Sequence, residues 1–314
     1  MSASAVLFPG QGSQVKGMGR DAAEQSSDAK QLWLAAEKAS GLPLREIYWD
    51  GEAADMARTE ALQPAMATVG LTLWLAARKH VRPAAAAGHS LGEYTALAAA
   101  EILAPKDMLE LVSLRGKLMS ESGEDDHGMA AILKLDMEQA EELAQQAADE
   151  SGELLIIANY NSPAQYVASG KKAAIEAAAR LAKERKGRAV PLPVSGAFHT
   201  PLMREAADEF SKALGKIDFR SPKFPVYFNV TGQPEPDPEK IRAIMAQQMT
   251  SPVRWVQTMQ RMWEDGMRRF IEIGPKGVLA KLAQQNLAPL GEPDVAAAAD
   301  LEAAESLAAG QEGK

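Results

Sequence analysis

The amino-acid sequence predicts an α/β fold, a layered domain on a mainly parallel sheet carrying a second, smaller unit, and three observations predict it. Apolar runs at residues 5–8, 84–87, 225–230 and 269–273 alternate with helical patterns, the order that builds a parallel sheet covered by helices. Two of these runs end in glycine loops, Pro9-Gly10-Gln11-Gly12-Ser13 and Gly88-His89-Ser90-Leu91-Gly92. Between residues 129 and 194 the order becomes βαββαβ, the split-βαβ, ferredoxin-like pattern. A length of 314 residues suits one large domain with a smaller one, because domains typically run to roughly 100–200 residues.

Taken in order, Ala5-Val6-Leu7-Phe8 reads as a buried first strand, and long helical patterns follow through residue 79. The short run 84–87 enters the second glycine loop, and residues 93–101 have helix-forming composition, giving strand, sharp turn, helix. The small unit reads as strand 129–135, helix 138–150, strands 154–159 and 165–169, helix 172–185 and strand 188–194. The chain then returns through strands 225–230 and 269–273, the latter leading through Gly274-Pro275 into a helix from about Val278. This divides the chain into a discontinuous large domain over 1–127 and 195–290, a small domain over 128–194, and an acidic, Ala-rich end over 291–314. That end has no aromatic residue and Val295 as its only β-branched one, so it is expected to be a mobile tail or an accessory helix.

Composition narrows the function. The net charge is −8, of which residues 291–314 carry −5, so the body is near neutral and has no basic stripe for nucleic acid. No apolar run approaches the roughly 20 residues that span a bilayer, and Met1-Ser2-Ala3-Ser4 lacks the charged start of a signal peptide, so no membrane role and a cytoplasmic location are expected. With no cysteine, and with His80, His89, His127 and His199 free of HxxxH or HExxH spacing, neither a thiolate nor a histidine-built metal site is expected. Covalent catalysis would fall to Ser, Thr, Lys, a carboxylate or His.

Gly88-His89-Ser90-Leu91-Gly92 fits the G-x-S-x-G elbow, in which a strained strand-to-helix turn exposes the serine hydroxyl and the following helix aims backbone N–H groups at the site. An ordinary glycine turn is the competing reading, and the flanking strand and helix favour the elbow. The first glycine loop is not a dinucleotide fingerprint, because Val15 stands where a third Gly or Ala is needed. It is either a simple turn or a source of an oxyanion donor, the N–H of Gln11.

A serine nucleophile needs a base. His80 lies at a helix end, His127 in a polar loop, and the elbow directs His89 away, so elimination leaves His199, held before a helix by Thr200 at its N-cap and Pro201. Arg115 interrupts the apolar stripe Met108, Leu111, Val112, Leu118, Met119 with no carboxylate in phase. Either another segment supplies an ion-pair partner or a substrate carboxylate does. Gln248 stands similarly on the stripe of Ile241, Ile244 and Met245 over a helix 239–249, and either bonds backbone or orients the histidine.

These residues together identify a resemblance. Phe8-Pro9-Gly10-Gln11-Gly12-Ser13-Gln14, Gly88-His89-Ser90-Leu91-Gly92-Glu93-Tyr94, Leu114-Arg115-Gly116, Asn161-Ser162-Pro163, Gly196-Ala197-Phe198-His199 and Ile273-Gly274-Pro275 occur in the order seen in malonyl-CoA:acyl carrier protein transacylases, which the chain resembles over about residues 4–285. The resemblance implies a hydrolase-like α/β domain with a ferredoxin-like insertion and a ping-pong reaction between them, without a cofactor. It implies Ser90 as nucleophile and His199 as base, Arg115 on the malonyl carboxylate, Gln11 and Leu91 as oxyanion donors through their N–H groups, and Asn161 and Gln248 lining the site. It also implies that the base is held by a backbone carbonyl or an amide, and that the Phe198 ring leaves little room for an α-methyl branch. The implied partners are malonyl-CoA and a transient, acidic acyl carrier protein bearing phosphopantetheine. Lys183, Arg185, Lys186 and Arg188 are either its docking patch or a solvated helix end. A polyketide-synthase acyltransferase, a serine hydrolase with no use for Arg115 and a non-catalytic carrier-binding scaffold are the alternatives.

Overall fold

The computed structural model describes residues 3–194 and 196–307. The chain opens with β1 (Ala3–Phe8), α1 (Arg20–Gln25), α2 (Ser27–Ser40), α3 (Ala53–Ala57), α4 (Thr59–Ala77), β2 (Ala85–Gly88), α5 (Gly92–Ala99) and α6 (Pro105–Glu121). It continues through β3 (His127–Leu133), α7 (Met137–Ser151), β4 (Leu155–Ser162), β5 (Gln165–Lys171), α8 (Lys172–Glu184) and β6 (Arg188–Pro191). It returns with α9 (Arg204–Leu214), β7 (Val226–Tyr227), α10 (Pro238–Gln247), α11 (Trp255–Glu264), β8 (Met267–Ile273), α12 (Val278–Leu287), β9 (Asp294–Ala298) and α13 (Leu301–Ser306).

The first sheet is parallel in every pairing and ordered β7-β2-β1-β8-β9. Its strands β1 and β2 are buried on both faces, which is why residues 5–8 and 84–87 read as unbroken apolar runs. Val6, Phe8, Ala86 and Ile271 face the core that α4, α5 and α6 complete, while Ala5, Leu7, Ala87 and Phe270 face Trp255, Met259 and Leu279. The second sheet is antiparallel, ordered β4-β5-β3-β6. Its Ile132, Tyr166 and Ala168 pack on Leu143, Ile175 and Leu181 of the two helices on one face. A capping box between Asp136 and Gln139 starts α7, and Gly152 in the left-handed region ends it. This is the βαββαβ unit the sequence predicts.

The small unit meets the large one along β4, against the segment before α11 and against α12. Val253 N donates to Ala158 O at 2.8 Å, Tyr160 N to Val253 O at 2.9 Å, and Asn286 Nδ2 of α12 to Asn161 O at 2.9 Å. Glu272, fully buried at the end of β8, accepts from Val278 N at 3.1 Å and Ala280 N at 2.9 Å and so caps α12. Burial pushes its carboxyl up to about 7.

Three expectations need correction. The segment read as an acidic tail adds a fifth strand, β9, paired in parallel with β8 from Arg269↔Asp294 to Ile273↔Ala298, followed by α13. Its alanines are poor strand formers, but pairing with an otherwise open strand edge outweighs that weak preference. Residue 195 at the expected boundary, and residues 308–314, lie outside the described residues. The expected strand 225–230 pairs only at Val226 and Tyr227, because the chain turns at once, with Gly232 N bonded to Phe228 O at 2.7 Å. The expected strand 188–194 ends at Pro191, and Pro191 and Pro193 have no N–H for a ladder.

Candidate active site

The two glycine loops lie side by side at the carboxyl ends of β1 and β2, where parallel sheets place their ligands. Contact is close enough to dictate residue size. A Cβ on Gly92 would come within 2.0 Å of Phe8 O, so only glycine lets α5 start against the end of β1. Ser90 sits at φ 51 in the left-handed region, the backbone strain expected of a nucleophile elbow. Asn229 holds this conformation from β7's side: its Oδ1 accepts from Ser90 N at 2.7 Å and its Nδ2 donates to Gly88 O at 2.7 Å.

His199 follows Phe198 into a short 3₁₀ turn, Pro201–Met203, where Thr200 Oγ1 accepts from Leu202 N at 3.2 Å. The histidine is itself at φ 59 and is 3% exposed. Its Nδ1 faces two backbone carbonyls, Gln248 O at 3.0 Å and Ser251 O at 3.1 Å, so the ring proton belongs on Nδ1. The lone pair of Nε2 is then free to accept from Ser90 Oγ, 2.8 Å away. Burial first and the Arg115 charge second push this imidazole down to about 3, leaving it neutral at neutral pH.

Arg115 is 1% exposed in the middle of α6, and every hydrogen-bond partner it has among the described residues is a neutral oxygen. Gln63 Oε1 accepts from Nη1 at 2.7 Å, Gln248 Oε1 from Nε at 3.1 Å and Nη2 at 2.9 Å, and Ser90 Oγ from Nη2 at 3.1 Å. The guanidinium also lies over the Tyr94 ring, 5.5 Å from its centroid. No carboxylate among the described residues touches the arginine, so the ion-pair partner, one of the two alternatives drawn from sequence, is not supplied by them. Gln248 bonds backbone through its amide, as one of the two expectations had it, but the helix expected to carry it ends at Gln247. It stands in a 3₁₀ turn after α10, its backbone carbonyl holds His199, and its amide serves Arg115, Ser90 O at 2.9 Å and Glu93.

A cavity of about 360 Å³ between the sheets is lined by Gln11, Ser90, Leu91, Arg115, Phe198 and His199 among others, a volume within the usual range for a small-molecule site. Asn161 also lines it, with Oδ1 2.7 Å from His89 Nε2. Among the described residues the N–H groups of Gln11 and Leu91 have no hydrogen-bond acceptor. The four basic residues 183, 185, 186 and 188 do not line the cavity. Arg185 is bound to Glu142 at 3.2 Å and to Gln146, while Lys183 in the last turn of α8, Lys186 in the turn that follows and Arg188 at the start of β6 are exposed, and cavity-lining Leu192 comes just after β6.

Sequence reading missed Gln63, Glu93 as a working group, and Asn229. Gln63 and Glu93 carried a signal, since Gln63 is the one amide side chain on α4 and Glu93 the one charged side chain on α5, both on largely buried helices. Asn229 lies in a turn and carried none. Glu124, Asp126 and His127 cluster as metal ligands can, but Lys171 Nζ already stands 3.1 Å from Glu124 and 2.9 Å from Asp126.

Among the described residues no helix is long and apolar enough to cross a membrane. The acyl transferase domain family matches residues 6–309. The malonyl CoA-acyl carrier protein transacylase of Staphylococcus aureus (strain MW2) is 37% identical over 287 residues, 91% of this chain and 92% of that protein. The enzyme of the same name from Bacillus subtilis (strain 168) is 38% identical over 288 residues, 91% and 90% of the two chains. The crystal structure of an acyl carrier protein S-malonyltransferase from Vibrio cholerae superposes with a TM-score of 0.90 at 37% identity, covering 98% of this chain and all of that one. A malonyl-transacylase solved in complex with a type II PKS acyl-carrier protein superposes at 0.92 with 34% identity, covering 99% of this chain and all of that one. The chain therefore belongs to the acyl transferase domain family and, within it, to the malonyl-CoA:acyl carrier protein transacylases.

Proposed function

We propose that this protein transfers a malonyl group from malonyl-CoA to the phosphopantetheine thiol of an acyl carrier protein, through a malonyl ester on Ser90, in fatty-acid synthesis. The observation that carries the reading is a hydroxyl 2.8 Å from a neutral imidazole and 3.1 Å from a buried guanidinium at the wall of one cavity. His199 Nε2 takes the Ser90 proton as Oγ attacks the thioester carbonyl. The oxyanion that forms is received by the N–H groups of Gln11 and Leu91, which have no other acceptor among the described residues. Collapse breaks the C–S bond, and the leaving CoA sulfur takes the proton from His199. The carrier thiol then gives its proton to His199 and attacks the serine ester, and the Ser90 oxygen recovers the proton as it leaves.

Arg115 selects the acyl group, its planar fork pairing with the malonyl carboxylate. That pairing also reaches the base. The Arg115 charge is the second cause of the low His199 basicity, so a carboxylate that offsets it makes the imidazole a better proton acceptor when a dicarboxylic acyl group is present. A plain serine hydrolase has no use for this arrangement. A polyketide carrier is the second reading for the partner, favoured by the likeness to a transacylase solved with such a carrier. Phosphopantetheine travels on the carrier, and the steps above need no further group.

Intact mass spectrometry after mixing with malonyl-CoA tests the reading. The wild type should gain one malonyl group and lose it again to holo-carrier, and Ser90→Ala should gain none. An adduct that persists in Ser90→Ala would place the nucleophile elsewhere.

A further inference from the structure

Glu93 is fully buried on α5, a helix whose eight residues are all buried, and the transfer steps do not use it. Burial pushes its carboxyl up to about 7. Each of its oxygens has a separate donor: Oε1 accepts from Asn229 N at 2.7 Å, and Oε2 accepts from Gln248 Nε2. We infer that Glu93 is the positioning residue for Arg115, acting through Gln248 to keep the guanidinium fork aimed at a dicarboxylic acyl group. The inference rests on the reading in which Arg115 takes the malonyl carboxylate, and it names what holds that selectivity in place.

The argument is a count of donors and acceptors. A guanidinium can only donate, so every group seated against it must present an acceptor. Gln248 meets this condition only in one orientation of its amide, with Oε1 on Arg115 Nε and Nη2 and Nε2 turned away. Nε2 is turned toward two groups that can only accept, Ser90 O and the Glu93 carboxylate. Ser90 O and the Glu93 carboxylate together therefore fix the amide, and the amide fixes the arginine. Glu93 also balances the buried cation from one side chain away. A carboxylate in direct contact would occupy the fork, whereas this one leaves an Nη1 N–H unused among the described residues and an Nη2 N–H resting only on Ser90 Oγ.

The isosteric change Glu93→Gln breaks the count without opening a void. The backbone N–H of Asn229 cannot turn, so it claims the single amide oxygen of the new residue. The new NH₂ then faces Gln248, whose amide must turn over. That aims an NH₂ at Arg115, donor against donor, and an oxygen at the Ser90 carbonyl.

The test is kcat and KM for malonyl-CoA and acetyl-CoA in wild type and Glu93→Gln, with circular dichroism and a thermal melt to establish folding. Malonyl KM should rise, and the malonyl-to-acetyl ratio of kcat/KM should fall, by roughly tenfold or more, the scale of one lost hydrogen bond to a charged group. Acetyl transfer should stay within about threefold. A ratio that is preserved, whether both activities hold or both fall equally, would reduce Glu93 to a structural carboxylate. A fall in malonyl KM would show an opposing charge rather than a positioning group and would equally overturn the inference. If Glu93→Gln does not fold, Gln248→Met cuts the same relay at its middle with a side chain of similar length, and a preserved ratio there overturns the inference as well. Wild type that forms no malonyl-Ser90 or shows no preference for malonyl would remove the functional reading itself, so the two failures are told apart by the parent protein.

Discussion

Replacing Arg115 with Ala should convert a malonyl-selective site into one that no longer distinguishes malonyl from acetyl. In wild type the guanidinium is 1% exposed and touched by no carboxylate among the described residues, so a bound malonyl carboxylate meets a buried cation without a direct counter-ion. Removing the cation leaves the substrate carboxylate buried and unpaired, which costs about 3–5 kcal/mol. At about 1.36 kcal/mol per tenfold, malonyl kcat/KM should fall by roughly 10²- to 10⁴-fold. Acetyl-CoA has no carboxylate to strand, and a methyl group sits more easily in the vacated space than beside a buried cation, so its kcat/KM should hold or rise.

The fold should feel the change less than the substrate does. Gln63 and Gln248 each lose an ionic donor, at about 1–3 kcal/mol per buried acceptor left unsatisfied. Water entering from the adjoining cavity of about 360 Å³ can satisfy part of that, and the cost of burying a cation disappears. The assay is kcat/KM for both thioesters with a thermal melt on each protein. Equal losses for the two substrates would refute the reasoning, because they would mean that Arg115 supports the elbow rather than the acyl group.

Two further outcomes follow from charge. His199 has a folded-state pKa of about 3 against 6.5 when unprotected; because the folded value is depressed, the unfolded chain binds a proton first as pH falls below 6.5. Wild type should thus lose roughly 2 kcal/mol relative to His199→Ala between neutral pH and about pH 5, read as a Tm difference that narrows on acidification, and a difference independent of pH would mean that the folded ring titrates as the unfolded one does. Glu93 and Glu272 titrate in both proteins and cancel in the comparison. Reversing Lys183 and Lys186 to Glu should raise the apparent KM for an acidic carrier without changing formation of malonyl-Ser90, and an unchanged carrier KM would discard this patch as the docking surface.

What could be read from sequence divides along a physical line. The parallel sheet was legible because buried parallel strands are short apolar runs with a glycine loop at the carboxyl end, and β1 and β2 are both of that kind. Ser90 and His199 were legible because backbone chemistry marks them, glycines on one side and a Thr-Pro cap on the other. Arg115 was legible as a breach in a stripe, but its partners were not, since Gln63 lies 52 positions away and Gln248 133. β9 was illegible for a different reason: five residues with three alanines become a strand because β8 offers them an edge, and no local preference records that offer.

The proposed nucleophile and base both carry backbone strain. Ser90 at φ 51 and His199 at φ 59 each occupy a region that costs a non-glycine residue of order 1–3 kcal/mol. Such conformations persist only when their surroundings fix them more than once. At Ser90 the fixing runs through Asn229, which holds Ser90 N and Gly88 O with its side chain and gives its own N–H to Glu93. The other oxygen of that carboxylate holds the Gln248 amide, whose backbone carbonyl in turn holds the base. Nucleophile, base and arginine are thus seated from one buried carboxylate by hydrogen bonds whose directions cannot be exchanged. This explains why the protein keeps a carboxyl group in its core. A neutral residue of the same shape would supply one acceptor where two are required; Asn229 N claims it, and the fork proposed to select the acyl group loses its alignment.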